Sequence, residues 1–87
     1  MEVAVYDTYV PKKDGSIMHF DILVPDETAS KEQVYQFGRH YLASKGQQGQ
    51  PLTAKECHFC HIEEPTQEIW DVISAQGYYI IEMQGCQ

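Results

Sequence analysis

Apolar and polar residues alternate with a period of two at the start of this chain. Residues 2–10, Glu-Val-Ala-Val-Tyr-Asp-Thr-Tyr-Val, are rich in β-branched and aromatic side chains, which fits a pleated, half-buried strand. Residues 17–24 repeat the pattern, with Met18, Phe20, Ile22 and Val24 on one face and Ile17, His19, Asp21 and Leu23 on the other. The even positions are the expected core face. Between the runs, Pro11-Lys12-Lys13-Asp14-Gly15-Ser16 is turn chemistry, with Asp-Gly tolerating positive φ. The two runs predict a β-hairpin.

The period then changes. Val34, Phe37, Gly38, Tyr41 and Leu42 recur at helical spacing and form one apolar stripe of about four turns. Ser30 with Gln33 three residues on is a capping-box pattern, with Thr28 as the rival cap. Lys45 and Gly46 are stop signals. Gly38, inside the stripe, points to close packing of this helix on the sheet. After the polar loop 47–51, a third strand is expected across Lys55–Ile62. Pro65 suits the first position of a second helix. Ile69, Val72 and Ile73 give that helix its buried stripe, Trp70 flanks it and Gly77 ends it. The compact apolar run 78–83 is the last strand.

The order β-β-α-β-α-β predicts a single α+β domain over residues 1–87. It is expected to have two layers, a mixed four-stranded sheet with two helices packed on it. The roughly fifteen residues between the third and fourth strands permit a right-handed parallel crossover.

Composition narrows the function classes. Apolar residues are 43% of the 87, within the globular range. Thirteen acids against six bases give a net charge of −7. Lys12, Lys13, Lys31, Arg39, Lys45 and Lys55 are scattered, so no basic stripe tracks a phosphate backbone. Neither nucleic acid nor an anionic membrane is an expected partner. The N-terminus lacks the basic and apolar regions of a signal peptide, and no apolar run reaches a membrane span, so a cytoplasmic protein is expected. A homo-oligomer formed through a sheet edge is compatible with an open sheet.

Two clusters carry candidate chemistry. The first is Cys57-His58-Phe59-Cys60-His61. Cys57-x-x-Cys60 is a spacing at which two thiolates share a tetrahedral metal such as zinc, and His61 and Cys86 would complete a four-ligand set, with His58 as an alternate. A parallel crossover would bring Cys60, His61 and Cys86 to one edge of the sheet. Against this, Cys57 and Cys60 face apart on a straight strand, so the site requires a turn at His58-Phe59. Free cysteine also serves as a small core hydrophobe. Cys57-x-x-Cys60-His61 matches the c-type haem attachment motif, but that attachment requires export. A redox role is disfavoured because the next helix begins too late to lower a thiol pKa, and Glu56, Glu63 and Glu64 oppose a thiolate.

The second cluster is Asp7, Thr8, His19 and Asp21 on the hairpin. Asp7, His19 and Asp21 could form an acid/base group or supply metal ligands, against the plainer alternative of a polar outer face. A one-residue slip in hairpin register would put Asp7 and His19 on opposite faces. His40 is expected to be exposed, and Tyr78 and Tyr79 to fill core and surface. No Gly-rich phosphate loop, nucleophile elbow or His-Glu-x-x-His pattern occurs, which favours a non-catalytic binding or accessory module over an enzyme.

Three separated segments, Val-Tyr-Asp-Thr-Tyr-Val with the following Asp-Gly turn and Met-His-Phe-Asp-Ile-Leu-Val, Cys-His-Phe-Cys-His-Ile-Glu, and Gly-Tyr-Tyr-Ile-Ile-Glu-Met-Gln-Gly-Cys, occur in order. Together they resemble a family of short bacterial proteins, the domain of unknown function twenty-twenty-four. The resemblance spans nearly the whole chain. It implies a compact α+β fold and carries no assigned activity or catalytic residues.

Overall fold

The computed structural model describes residues 2–25, 30–56 and 64–86. Its elements follow the expected order: β1 (Val3–Pro11), β2 (Ile17–Pro25), α1 (Lys31–Ser44), β3 (Thr53–Glu56), α2 (Gln67–Gln76) and β4 (Tyr79–Gln84). The fold is α+β, with one open four-stranded sheet and two helices.

The β1–β2 hairpin is the centre of the sheet. Lys12 N–H donates to the Ser16 carbonyl (2.7 Å) and Gly15 N–H to the Lys12 carbonyl (3.0 Å). Gly15 has φ +92°, and Asp14 Oδ1 accepts from both the N–H (2.9 Å) and the hydroxyl (2.6 Å) of Ser16. This is the three-residue hairpin loop in which a tight turn is followed by a left-handed glycine. It sets the register: Asp7 lies opposite Asp21, Thr8 opposite Phe20 and Tyr9 opposite His19.

Two details of the architecture differ from the sequence expectation. The sheet has the order β3-β1-β2-β4, and every pairing is antiparallel, so it is not mixed. β3 joins the free edge of β1 and β4 the free edge of β2. The parallel crossover between β3 and β4 does not form, because the hairpin stands between them. The helices also do not share a layer. Even-numbered Ala4, Val10, Met18, Phe20, Ile22 and Val24 form one core with Val34, Tyr41 and Leu42 of α1. Odd-numbered Val3, Val5 and Leu23 form a second core with Ile73, Ile69 and Trp70 of α2. Side chains alternate across a strand, so α1 and α2 cover opposite faces and the domain has three layers. The expected two-layer arrangement took the odd face to be solvated, as antiparallel sheets commonly are.

The helices begin and end as their caps dictate. Ser30 Oγ accepts from Gln33 N–H (3.2 Å) and Thr66 Oγ1 from Ile69 N–H (3.3 Å). Thr66 is the cap of α2, so Pro65 precedes the cap and does not open the helix. Gly77, at φ +96°, closes α2 in the left-handed conformation. A Cβ on Gly38 would lie 3.2 Å from the Leu52 side chain, so α1 does approach closely here. β3 starts at Thr53, two residues before the expected strand, and the remainder of that expectation, residues 57–62, lies outside the described residues. No helix among the described residues is long and apolar enough to cross a membrane.

Helix length decides what is left open. Ten residues make α2 about 15 Å long, whereas nine-residue strands run about 30 Å. The helix packs on the Val3, Val5 and Leu23 end of the odd face. The hairpin end of that face carries Asp7, Tyr9, Ile17, His19 and Asp21, with Tyr9 and Ile17 each about half exposed. β4 bulges here: His19 pairs with Gln84 and Phe20 with Glu82, leaving Met83 extra and exposed. Gly85, at φ +68°, then turns the chain beneath β2, where an added Cβ would stand 2.5 Å from the Ile17 carbonyl oxygen. Gly85→Ala should therefore lose roughly 2–3 kcal/mol from left-handed strain plus the backbone clash, measured as a lower urea midpoint at unchanged m-value.

Candidate functional site

The register that pairs Asp7 with Asp21 puts both carboxylates and the His19 imidazole on one face of the hairpin. His19 sits one pleat from Asp21 along β2 and diagonal to Asp7 across the ladder. His19 Nε2 is 3.7 Å from Asp7 Oδ1 and 4.0 Å from Asp21 Oδ1. One donor atom from each of the three residues lies within 4.8 Å of the other two. The 3.7 and 4.0 Å separations are too long for hydrogen bonds. His19 Nε2 and Asp21 Oδ1 are buried yet have no hydrogen-bond partner among the described residues. A buried polar atom without a partner costs free energy, so this placement needs a reason.

The imidazole is held in plane. Tyr9, directly across the ladder, stacks on it with ring centroids 4.2 Å apart and planes 6° from parallel. Behind it, on the α1 side, the buried Cys86 thiol donates to the His19 and Gln84 carbonyls at 3.4 Å each. These contacts steady the ring and the β2 backbone at His19.

Asp21 is 8% exposed and faces a second carboxylate. Burial, and next the facing Asp7, push the Asp21 carboxyl up to about 6, while His19 draws it partly back. Like charges directly opposed on a ladder repel, and a proton or a cation relieves the repulsion. On the β3 side Asp7 pairs with Lys55, whose exposed side chain lies on the same face, and on the β4 side Asp21 pairs with Ile81. The group is thus two facing carboxylates with an imidazole beside them, open to solvent at Asp7 and closed toward Ile81.

Of the sequence candidates, the structure brings together Asp7, His19 and Asp21. Thr8 points into the opposite face, fully buried, with its hydroxyl donating to the Tyr6 carbonyl. Cys57, His58, Cys60 and His61 lie outside the described residues. Cys86 is described, in the α1-side core after β4. The parallel β3–β4 neighbourhood that argued for Cys86 as a fourth ligand is not formed, since those strands hold opposite edges. His40 is exposed as expected, although its Nδ1 lies 2.6 Å from the hydroxyl of buried Tyr78.

Comparison with known proteins fits this description. The family model described as domain of unknown function (DUF2024) matches residues 1–83. The chain belongs to this family. A solved relative, the NMR structure of protein NE1680 from Nitrosomonas europaea, is 34% identical over the full length of both chains, with a TM-score of 0.80. No curated protein matches the chain.

Two features of this chain's hairpin face have no counterpart among the sequence expectations, the Tyr9 stack and the bulge at Met83. The first was available from the hairpin register and the second had no local signal. A hollow of about 550 Å³ lies elsewhere, between α1 and the 48–52 loop, and of the residues lining it Arg39 alone is charged. It presents no cluster of reactive groups, so the hairpin face is the stronger candidate.

A raised carboxyl pKa favours the protonated native state, so stability held at low pH is lost as the pH climbs from the ordinary carboxylate range through about 6. In chelator-treated protein, urea unfolding at pH 4–7 should show this loss, and Asp21→Asn should flatten it and be at least as stable as the parent at pH 7. An unchanged pH profile in the variant would contradict the assignment.

Proposed function

We propose that this protein is a small, single-domain, non-catalytic binding module of the cytoplasm whose ligand face is the uncovered half of the odd sheet face. The ligand it takes carries positive charge. The observation that carries this reading is the convergence of Asp7, His19 and Asp21, with the buried Nε2 and Oδ1 atoms lacking partners among the described residues. Two facing carboxylates attract a cation, and the exposed Tyr9 ring beside them adds an aromatic face that favours one. The position on an open face favours binding over catalysis: the Asp7 side chain is 42% exposed, and catalysis gains from excluding water. The overall charge of −7 supports cationic ligands by long-range attraction.

Thermal melting of the chelator-treated full chain against a panel of cations at matched ionic strength tests this. The panel holds divalent metal chlorides and organic ammonium ions, including spermidine and a quaternary amine. At least one class should raise Tm by several degrees, as expected for a ligand far above its Kd. The rise should shrink in Asp7→Asn and Asp21→Asn. Equal rises in the parent and both variants, or none in the parent, would remove the proposal.

A further inference from the structure

We propose that the cation is a divalent first-row transition-metal ion held by Asp7, His19 and Asp21. This rests on the cation-binding reading above and names its ligand.

The argument begins with the separations. Ligand atoms about 2.0–2.2 Å from a shared ion stand about 3.0–3.5 Å from one another. His19 Nε2 lies 3.7 Å and 4.0 Å from the two Oδ1 atoms. Those gaps are too wide for direct hydrogen bonds and slightly wide of a shared ion's coordination sphere. Small side-chain rotations of the two aspartates would close them, with no change in the backbone.

The unpartnered atoms point the same way. His19 Nε2 and Asp21 Oδ1 are buried and lack hydrogen-bond partners among the described residues, and both belong to the ligand set. An ion between them satisfies both atoms at once and neutralises the facing carboxylates. A proton shared between Asp7 and Asp21 relieves the repulsion but leaves Nε2 unpaired. Coordination through Nε2 places the ring proton on Nδ1. The Tyr9 stack fixes the plane of the ring, so the site is partly organised before an ion arrives.

The donor set selects the class of ion. One imidazole nitrogen with two carboxylates suits zinc, iron, cobalt or manganese. Calcium takes six to eight oxygens, more than this group supplies. Three protein ligands leave coordination positions open, and solvent reaches the group past the half-exposed Asp7. The remaining positions would be filled by water or by a small anionic ligand, with the Lys55 ammonium on the same face.

Cobalt(II) titration of the chelator-treated full chain, followed by visible absorption and calorimetry, tests the assignment. The expected result is one ion per chain without thiolate-to-cobalt charge-transfer bands. Affinity should fall about tenfold or more in Asp7→Asn and in His19→Gln, and be kept in the double variant Cys57→Ser with Cys60→Ser. Asp7 is the most exposed of the three ligands, and an unchanged amide spectrum would show that its variant is folded. Manganese(II) should broaden the amide signals of residues 7, 19 and 21 in the unaltered protein, a readout that needs no substitution. Failure of every divalent ion to bind would overturn the proposal. So would thiolate bands with binding lost only in the cysteine variant. Stabilisation by organic ammonium ions alone would overturn the metal while leaving the cation-binding reading in place.

Discussion

The rest of the structure depends on the register of one hairpin. Lys12 and Ser16 close a loop in which Gly15 takes a left-handed conformation, and that closure fixes which residues of β1 and β2 face each other. The consequence is two-sided. Val10, Met18, Phe20 and Ile22 align toward α1, while Val3, Val5 and Leu23 align toward α2. Asp7, Tyr9, His19 and Asp21 share the remainder of the second face. A slip of one residue would exchange the faces of an entire strand, breaking both cores and scattering the polar group. The same constraint therefore specifies the fold and the candidate site.

The site is open because the cover is short. α2 reaches only part of the odd face, and the bulged end of β4 flanks the rest with exposed Met83. Opposite it, α1 with Tyr41 and Leu42 seals the other face, where the Tyr41 hydroxyl donates to Glu82 and Lys45 Nζ pairs with the same carboxylate at 2.8 Å. Lys45 and the Tyr41 hydroxyl hold the Glu82 carboxyl below its ordinary range, while the Asp21 carboxyl is raised. The two acids differ because one has donors and the other has burial and a second carboxylate. Glu82 is thus a satisfied structural acid, and Asp21 is an unsatisfied one.

Much of this was legible in the sequence. Alternation found both hairpin strands, helical spacing found the stripes of α1 and α2, and Ser30, Gly46 and Gly77 marked ends that the structure keeps. The register could also have been read. An Asp14-Gly15 two-residue turn would have paired Lys13 with Ser16, whereas a left-handed Gly15 closing a three-residue loop pairs Lys12 with Ser16 and so Asp7 with Asp21. What could not be read was global. Whether β3 and β4 join the same or opposite edges depends on where the helices pack, and the helix-containing connection between them permits either. Leu23, Val3 and Val5 were the available hint that the odd face is also covered. Their polar neighbours Asp7, His19 and Asp21 made that face look solvated along its whole length, when only half of it is.

That mixed face also bears on whether the polar group is mere surface. An exposed acidic pair on a sheet costs little, because solvent screens it. Asp21 is not exposed: at 8% it lies on the same strand as fully buried Leu23, against Ile81. A threonine or valine there would suit a strand better and remove the repulsion with Asp7. Local preference, burial and electrostatics all oppose the residue found, and no donor among the described residues offsets them at Oδ1. Sequences depart from such agreement at sites where binding requires it. The departure is confined to one corner of an otherwise self-consistent sheet, and it is shared by the atom of His19 that faces the same point. A single positive charge placed there would satisfy both of these atoms at once, and that convergence separates a binding site from a polar surface.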